Sequence, residues 1–267
     1  MLIEYLTNIA NTIREKLGNT DKINAQDFSN KISDVYEAGK QAEYDRFWDE
    51  FQLNGNRTDY RNAFGGTTWN DDNFRPKYNL KISNGYQAFA YTTIVDLAQT
   101  LENAGIAMSE YAINNAQYMF WNSLNLTRVP VIRLTGAFNA ASTAYGIFDS
   151  CTKLKTVDRI IIVESGTQSS SYWSYSFNGC SALENILFEG VIAAKISFSQ
   201  STKLSKDSIT SIINALSTTT SGLTVSLSKT AVNNAFSINV DDETTYPEGS
   251  EFYTLRHSKD NWTFSYV

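Results

Sequence analysis

Histidine is almost absent from this chain of 267 residues, since His257 is the only one. A single histidine excludes metal sites built from several histidines, and a Ser-His-Asp triad would have to use this one residue near the C-terminus. The sequence also lacks a Gly-x-Gly-x-x-Gly fingerprint, a phosphate loop ending in Gly-Lys-Ser/Thr and a Cys-x-x-Cys pair. We therefore expect no cofactor, no metal ion and no enzymatic activity.

Long apolar runs and excess positive charge are missing as well. No apolar stretch approaches the ~20 residues of a transmembrane helix, and Glu4 stands where a signal peptide would have its apolar core. The net charge of −6 argues against a protein that neutralises nucleic-acid phosphates. We therefore expect no membrane insertion, no nucleic-acid partner and a protein that is made and kept in solution.

Adjacent acidic residues occur in two places, at 71–72 and at 241–243. A glycosidase needs two carboxylates placed across a sugar, and carboxylates also bind Ca²⁺. Acidic residues on polar turns are typically solvated, however, and the spacing of a calcium loop is absent. We expect these side chains to be solvated, with a glycan-cleaving enzyme as an alternative.

One short pattern occurs four times in the middle of the chain. It has the form Phe-x-x-(Ser/Cys)-x-x-Leu, and successive copies begin 28, 29 and 21 residues apart. Such intervals are typical of a stacked solenoid, in which one repeat is too small to bury its own apolar residues. We expect these side chains to point inward and form the repeat core: Phe120, Ser123, Leu126, Phe148, Cys151, Leu154, Phe177, Cys180, Leu183, Phe198, Ser201 and Leu204.

Apolar segments follow the first three copies and predict the parallel strands of successive rungs, over 130–134, 159–163 and 185–188. The whole pattern resembles the BspA-like class of leucine-rich repeat, and the resemblance covers about a third of the chain. It implies a short repeat solenoid. The only two cysteines, Cys151 and Cys180, share one repeat position, so we expect buried, reduced thiols about one rung apart.

Two helices are predicted at the start of the chain. An amphipathic stripe predicts the first helix and ends at Gly18: Leu2, Leu6, Ile9, Ile13 and Leu17. The second is predicted over 25–52, with heptad-like spacing of Phe28, Ile32, Val35, Gly39 and Ala42. This spacing favours a coiled coil between copies, whereas Gly39 favours a plain antiparallel hairpin within one chain. Both interpretations stay open.

The segment 9–23, Ile-Ala-x-x-Ile-Arg-Glu-Lys-x-Gly-x-Thr-Asp-Lys-Ile, resembles a leader found on structural proteins of bacteriophages and prophages. Residues 44–48, 55–60 and 69–78 resemble the segment that links this leader to BspA-like repeats, and 203–227 resembles the cap that follows them. Residues 239–249 look like an insertion. The resemblance implies a protein of the virion whose N-terminal helices bind other virion proteins and form a homo-oligomer, with a trimer favoured.

The sequence therefore predicts an α+β fold, with N-terminal helices, a short BspA-like leucine-rich-repeat solenoid and a C-terminal α/β cap. We place a helical attachment and oligomerisation region at 1–53, an irregular connector and N-terminal cap at 54–88, the repeats at 89–204 and the C-terminal cap at 205–267. The cap is predicted to contain a helix over 205–216, a strand over 223–227, a short helix around Ala231, an acidic turn and a final strand over 262–267.

Large aromatic residues alternate with serine just before the third repeat. Tyr172, Trp173 and Tyr175 lie there, and Tyr145 has a comparable place before Phe148. Exposed aromatic rings stack on sugars and anchor protein contacts, so these four are the candidate ligand-binding residues. The alternative is that Trp173 and Tyr175 pack inward. The acidic charge balance favours a neutral glycan over a phosphate-rich wall polymer.

The function that these features predict is that of a non-enzymatic bacteriophage or prophage virion structural protein, associated with the tail, baseplate or a fibre. Its repeats would bind a glycan or a protein on the host surface. A bacterial cell-surface leucine-rich-repeat adhesin is one alternative, because similar repeats occur on such proteins. A glycan-cleaving tail enzyme is the other.

Overall fold

The computed structural model describes residues 9, 11–16, 28–108, 111–135, 143–163 and 168–267. The chain divides into two compact units, Met1–Asn54 and Gly55–Val267. It is a mixed helix and sheet protein, and the second unit is a β-solenoid of about three strand-bearing turns. The predicted combination of helices with a short repeat solenoid is confirmed at this level.

The first unit contains helical residues at 9 and 11–16 and the longer helix α1, Phe28–Phe51. Four aromatic side chains near the end of α1 contact one another, with Trp48 buried: Tyr44, Phe47, Trp48 and Phe51. Along the predicted heptad stripe, Val35 is half-buried and Gly39 and Ala42 are exposed. The predicted residues 2, 6, 17 and 18 lie outside the described residues, and the coiled coil stays a prediction.

The second unit contains short helices and strands in mixed order. The elements are α2 (Leu97–Ala104), β1 (Arg128–Val129), β2 (Ile132–Thr135), β3 (Thr156–Val163), β4 (Asn185–Glu189), β5 (Ile196–Phe198), α3 (Lys206–Ala215), β6 (Leu223–Leu227), α4 (Lys229–Phe236), a 3-10 turn (Glu243–Thr245), α5 (Glu251–His257) and β7 (Trp262–Tyr266). None of the described helices has an apolar stretch of the length that a bilayer crossing requires.

The first sheet stacks three successive rungs of parallel strands. Both β1 and β2 pair with β3, and β4 pairs with the other edge of β3. β1 and β2 are two parts of one rung, separated by Pro130, which has no N–H to donate to a neighbouring strand. Ion pairs join neighbouring rungs on the exposed face, from Arg128 to Asp158 and from Arg159 to Glu189. The predicted parallel strands are therefore present.

Opposite the strands, each rung contains a run of consecutive turns that we call the turn ribbon, at 60–66, 85–92, 116–123, 144–151 and 171–180. Alternate N–H groups close turns within the ribbon, as when Met119 N donates to Ala116 O. The intervening N–H groups donate to the next ribbon, as when Tyr118 N donates to Tyr145 O and Phe120 N to Ile147 O. The ribbons thus continue the stacking without being β-strands.

Each ribbon has two residues in the left-handed conformation, always four positions apart. The pairs are Asn62 and Gly66, Gln87 and Tyr91, Tyr118 and Asn122, Gly146 and Ser150, and Tyr175 and Gly179. The repeat phenylalanine lies midway between the members of each pair. Because left-handed residues other than glycine are uncommon, their constant spacing marks these positions as part of the repeat, with the buried phenylalanine between them.

The phenylalanine rings form a continuous buried stack through the unit. Successive centroids from Phe64 through Phe89, Phe120, Phe148 and Phe177 to Phe198 lie 5.0, 5.4, 5.3, 5.7 and 4.3 Å apart. The repeat-core leucines at 126, 154, 183 and 204 are buried as predicted. Phe64 and its ribbon lie inside the segment 54–88 that we predicted to be an irregular connector. The stacking therefore begins before the predicted start of the repeats.

The small residue of the first three repeats makes a hydrogen bond in addition to leaving room for the ring, whereas the buried Ser201 Oγ of the fourth has no partner among the described residues. Ser123 Oγ donates to Phe89 O at 2.9 Å, Cys151 Sγ to Phe120 O at 3.0 Å and Cys180 Sγ to Phe148 O at 3.2 Å. Both serine and cysteine occur at this position because both side chains are small hydrogen-bond donors. The two thiols are buried and free.

The last phenylalanine belongs to a second parallel sheet, in the order β5-β6-β7. The helix predicted over 205–216 is present as α3, with Ser205 Oγ accepting from Ser208 N as an N-cap. The predicted strands at 223–227 and near the C-terminus are β6 and β7, and the short helix around Ala231 is α4. α5 was not predicted, although Ser250 caps its first turn. Lys259 Nζ donates to the carbonyls of Asn214 and Leu216, at the end of α3.

Candidate functional site

The residue types that most often carry catalysis lie in structural positions. Among the described residues, no group of three His, Cys, Asp or Glu side chains could hold a metal ion. The His257 ring stacks on Tyr253, with centroids 3.9 Å apart, and its Nδ1 lies 2.9 Å from Tyr253 O. These contacts hold the His257 ring against its own helix, α5.

The prediction that Asp71 is a solvated turn residue is wrong. Its carboxylate accepts hydrogen bonds from Val95 N, Asp96 N and Thr100 Oγ1 at 2.8–2.9 Å and so holds the start of α2. Partial burial by itself raises the pKa of Asp71, but these hydrogen bonds outweigh it and the pKa lies below its ordinary value. Asp71 therefore has a structural task.

Two of the four predicted ligand-binding residues are buried. Tyr172 is fully buried and donates its hydroxyl to Thr135 O at 2.7 Å. Trp173 is 2% exposed, and its Nε1 donates to Gln168 Oε1 at 3.0 Å. The register of the ribbon explains the burial of Trp173, because the position four before the repeat phenylalanine faces the core in the neighbouring rungs too, as Ala116 and Ala144. The prediction that the rings of Tyr172 and Trp173 are exposed to stack on a ligand is therefore wrong.

The other two, Tyr145 and Tyr175, belong to a row of surface rings that we call the aromatic ladder: Tyr91, Trp121, Tyr118, Tyr145 and Tyr175. Successive centroids in this order lie 4.9, 5.4, 5.4 and 5.5 Å apart. Tyr91 is 45% and Tyr175 60% exposed, and the three rings between them are half-buried. The alternative that Tyr175 packs inward is therefore also wrong. The ladder crosses four successive ribbons.

The ladder arises from the outward positions of the turn ribbon. Relative to the repeat phenylalanine, residues two and three places before it and one and two places after it face away from the Phe stack. Tyr118 and Tyr175 are two before, Tyr145 is three before, and Trp121 and Tyr91 follow by one and two. Sequence reasoning missed Tyr91, Tyr118 and Trp121, although each lies within two residues of a repeat phenylalanine, which was a usable signal.

Contacts within the ladder fix the orientation of its rings. Desolvation by the neighbouring rings, together with a hydrogen bond to Tyr145, raises the pKa of Tyr118 to about 12. The ring edge of Tyr118 also lies only 2.7 Å from the position that a Cβ on Gly146 would occupy. Because each ring is braced by its neighbour, the ladder loses little side-chain entropy when a ligand covers it.

Rigid, half-exposed aromatic rings in a row offer apolar faces with polar rims, which suits an extended ligand that has its own apolar faces and hydroxyl groups. A series of side-chain hydrogen bonds lies next to the ladder: Gln200 Nε2 donates to Asn178 Oδ1 at 2.9 Å, and Asn178 Nδ2 donates to Asp149 Oδ1 at 2.7 Å.

Comparison of the whole amino-acid sequence and its fold with protein-family models, with curated proteins and with solved structures gives no match.

Proposed function

We propose that this protein is a non-enzymatic structural component of a bacteriophage or prophage particle, and that its solenoid binds a glycan on the host surface through the aromatic ladder. The ladder is the observation that carries the binding role, because a row of oriented, solvent-facing rings has no task in the Phe stack below it. The virion location is supported by the resemblance of segment 9–23 to a phage leader and of the repeats to the BspA-like class.

The chemistry of the ladder favours a saccharide as the ligand. Aromatic faces contact the C–H faces of sugar rings, while the phenol groups remain at the rim to exchange hydrogen bonds. Successive ladder rings are 4.9–5.5 Å apart, and the rungs repeat in one direction, so a linear polymer has equivalent contacts along its length. A short peptide would instead need separate pockets for its side chains.

The test compares binding of host-wall polysaccharide by the wild type and by a Tyr145→Ala, Tyr175→Ala double variant. Each lost ring contact is worth about 0.5–1.5 kcal/mol, so the double variant should bind roughly ten-fold more weakly. Tyr111→Ala is the matched control, because Tyr111 is also exposed and lies outside the ladder. Equal binding by all three proteins would refute a role of the ladder.

The same incubation tests the enzymatic alternative. A non-enzymatic binder leaves the number of reducing ends in the polysaccharide constant over hours, whereas a glycan-cleaving protein increases it. The adhesin alternative predicts the same binding surface but a different genomic setting, and genes for tail, capsid and lysis proteins beside this one would favour the phage assignment.

We further propose that the N-terminal helices attach the protein to other virion proteins and bring three copies together. Val35, Gly39 and Ala42 support this proposal, because they share the heptad-like stripe of α1 and leave it at least partly exposed in one chain. Light scattering on the intact chain should give the mass of a trimer, and on a version starting at Gly55 the mass of a monomer. A monomeric intact chain would contradict self-association.

A further inference from the structure

The stack of turn ribbons ends at the ribbon 171–180, so the main-chain N–H groups on its outer edge have no further ribbon to donate to. In the earlier ribbons the corresponding N–H groups donate to the next rung, as Phe148 N does to Ser176 O and Ser150 N to Asn178 O. Beyond 171–180 the chain continues as β5 instead of another ribbon. In the described part of the chain, no group accepts from the N–H of Tyr175 or Phe177.

A cleft of about 540 Å³ lies where the missing ribbon would be. Its walls are the ribbon residues from Trp173 to Asn178 on one side and residues of β5 and β6 on the other. Gln200 closes one end by accepting from Gly179 N at 2.8 Å, so the amide side chain continues the hydrogen-bonding pattern for one further position. Tyr175, the last ring of the aromatic ladder, also lines the cleft, which makes the two surfaces continuous.

The cleft is rich in donors and has a positive charge, although the chain as a whole is acidic. Lys195 lines it, and no aspartate or glutamate does. Two main-chain N–H groups two residues apart, with a lysine elsewhere in the lining, suit a carboxylate, because such groups bind its oxygens with charge-assisted hydrogen bonds. Four hydroxyl side chains complete the wall, Ser197, Ser199, Thr224 and Ser226, and they match a ligand that is itself hydroxylated.

We propose that this cleft binds a sugar unit that carries a carboxylate, such as a hexuronic acid, and that the rest of the saccharide continues along the aromatic ladder. The assignment rests on the proposed glycan binding by the ladder and specifies its ligand. It replaces the neutral glycan expected from the net charge by an acidic one, because the local charge of the cleft differs from that of the chain. A peptide with a free C-terminal carboxylate is the competing ligand, and the four hydroxyl side chains of the lining favour the sugar.

The experiment titrates the full chain with oligogalacturonate and with the same oligomer as its methyl ester, by calorimetry. The acid should bind at least roughly ten-fold more tightly than the ester, which keeps the sugar rings but removes the charge. Lys195→Gln should remove this preference, and Lys155→Gln, an exposed lysine outside the cleft, should retain it. Added salt should weaken binding of the acid and not of the ester.

Several results would overturn the assignment. Equal affinity for acid and ester, or an unchanged preference in Lys195→Gln, would show that the cleft does not bind a carboxylate. No binding of the acid at millimolar concentration would do the same, as would tighter binding of a tripeptide with a free C-terminal carboxylate. None of these results touches the ladder, since host-wall polysaccharide would still bind and Tyr145→Ala with Tyr175→Ala would still weaken it. If the variant with Tyr145→Ala and Tyr175→Ala instead bound host-wall polysaccharide as tightly as the wild type, the proposed function would be refuted.

Discussion

Gly190 stands at a close main-chain approach between two rungs, and its replacement by alanine should be severely destabilising. Gly190 follows β4 in the left-handed conformation, with φ +93°, and a Cβ built on it would lie 2.2 Å from Ile162 O in β3. Gly66, with φ +80°, provides a matched control because no heavy atom lies within 4 Å of its Cβ position. The two variants share the conformational cost and differ in the clash.

The conformational term is about 1–2 kcal/mol for an alanine in the left-handed region, and we expect Gly66→Ala to lose that amount. In Gly190→Ala the carbonyl of Ile162 must also move by about 1 Å, since real Cβ contacts are longer than 3.0 Å. That movement strains packing by about 1–3 kcal/mol and weakens neighbouring β3–β4 hydrogen bonds at about 1 kcal/mol each. The expected total for Gly190→Ala is about 4 kcal/mol or more.

Urea unfolding followed by tryptophan fluorescence measures both losses, after circular dichroism has shown that each variant folds. The informative quantity is the difference between the variants, which should be at least about 2 kcal/mol. If Gly190→Ala is no less stable than Gly66→Ala, then β3 and β4 do not approach as closely as described, and the stacking of these rungs is wrong.

Three further predictions test the core and its polar supports. Leu154→Ala should cost about 2–5 kcal/mol by leaving a cavity, whereas Leu124→Ala, at an exposed position, should cost under about 0.5 kcal/mol in the same urea assay. Cys151 and Cys180 should react slowly with a thiol reagent in the native protein, because burial raises the pKa of both thiols, and denatured protein should yield two free thiols; none without reductant would contradict this. The carboxyl of Asp71 has a folded-state pKa below the ordinary value of 3.8, so it should contribute stability above about pH 4 that is lost as the pH falls through the folded pKa. If the melting temperature of Asp71→Asn falls below pH 4 as much as that of the wild type, this prediction is wrong.

The stacking could be predicted from the sequence because the repeat residues recur at regular intervals. Phe120, Phe148 and Phe177 recur at an interval that only a stacked arrangement makes useful, and the following apolar segments became parallel strands. Phe64 and Phe89 belong to the same stack, but threonine takes the place of the Ser/Cys donor in both rungs, as Thr67 and Thr92, and the leucine is replaced by Asn70 and Val95. The rung of Phe64 was therefore missed, whereas the rung of Phe89 lies inside the repeats predicted over 89–204.

The candidate site was only half predictable for a different physical reason. Which face a ribbon residue presents depends on the two left-handed positions, and these are occupied by Tyr, Gln, Gly, Asn and Ser, which share no chemical property. Tyr172, Trp173 and Tyr175 therefore looked equivalent as a sequence. The fold separates them, since only Tyr175 occupies a left-handed position, and its neighbours pack inward against Thr135 and Gln168.

The spacing of the left-handed pairs has a consequence for how such a chain can change its length. The first members of the pairs, Asn62, Gln87, Tyr118, Gly146 and Tyr175, follow one another at intervals of 25, 31, 28 and 29 residues, while the distance within a pair stays at four. One residue inserted into a ribbon would exchange the N–H groups that close turns with those that reach the next rung, and so put the ribbon out of phase. Residues added elsewhere in a rung leave the phase intact. Insertions and deletions should thus accumulate between ribbons, and new loops can be engineered there while the ladder of rings keeps its register.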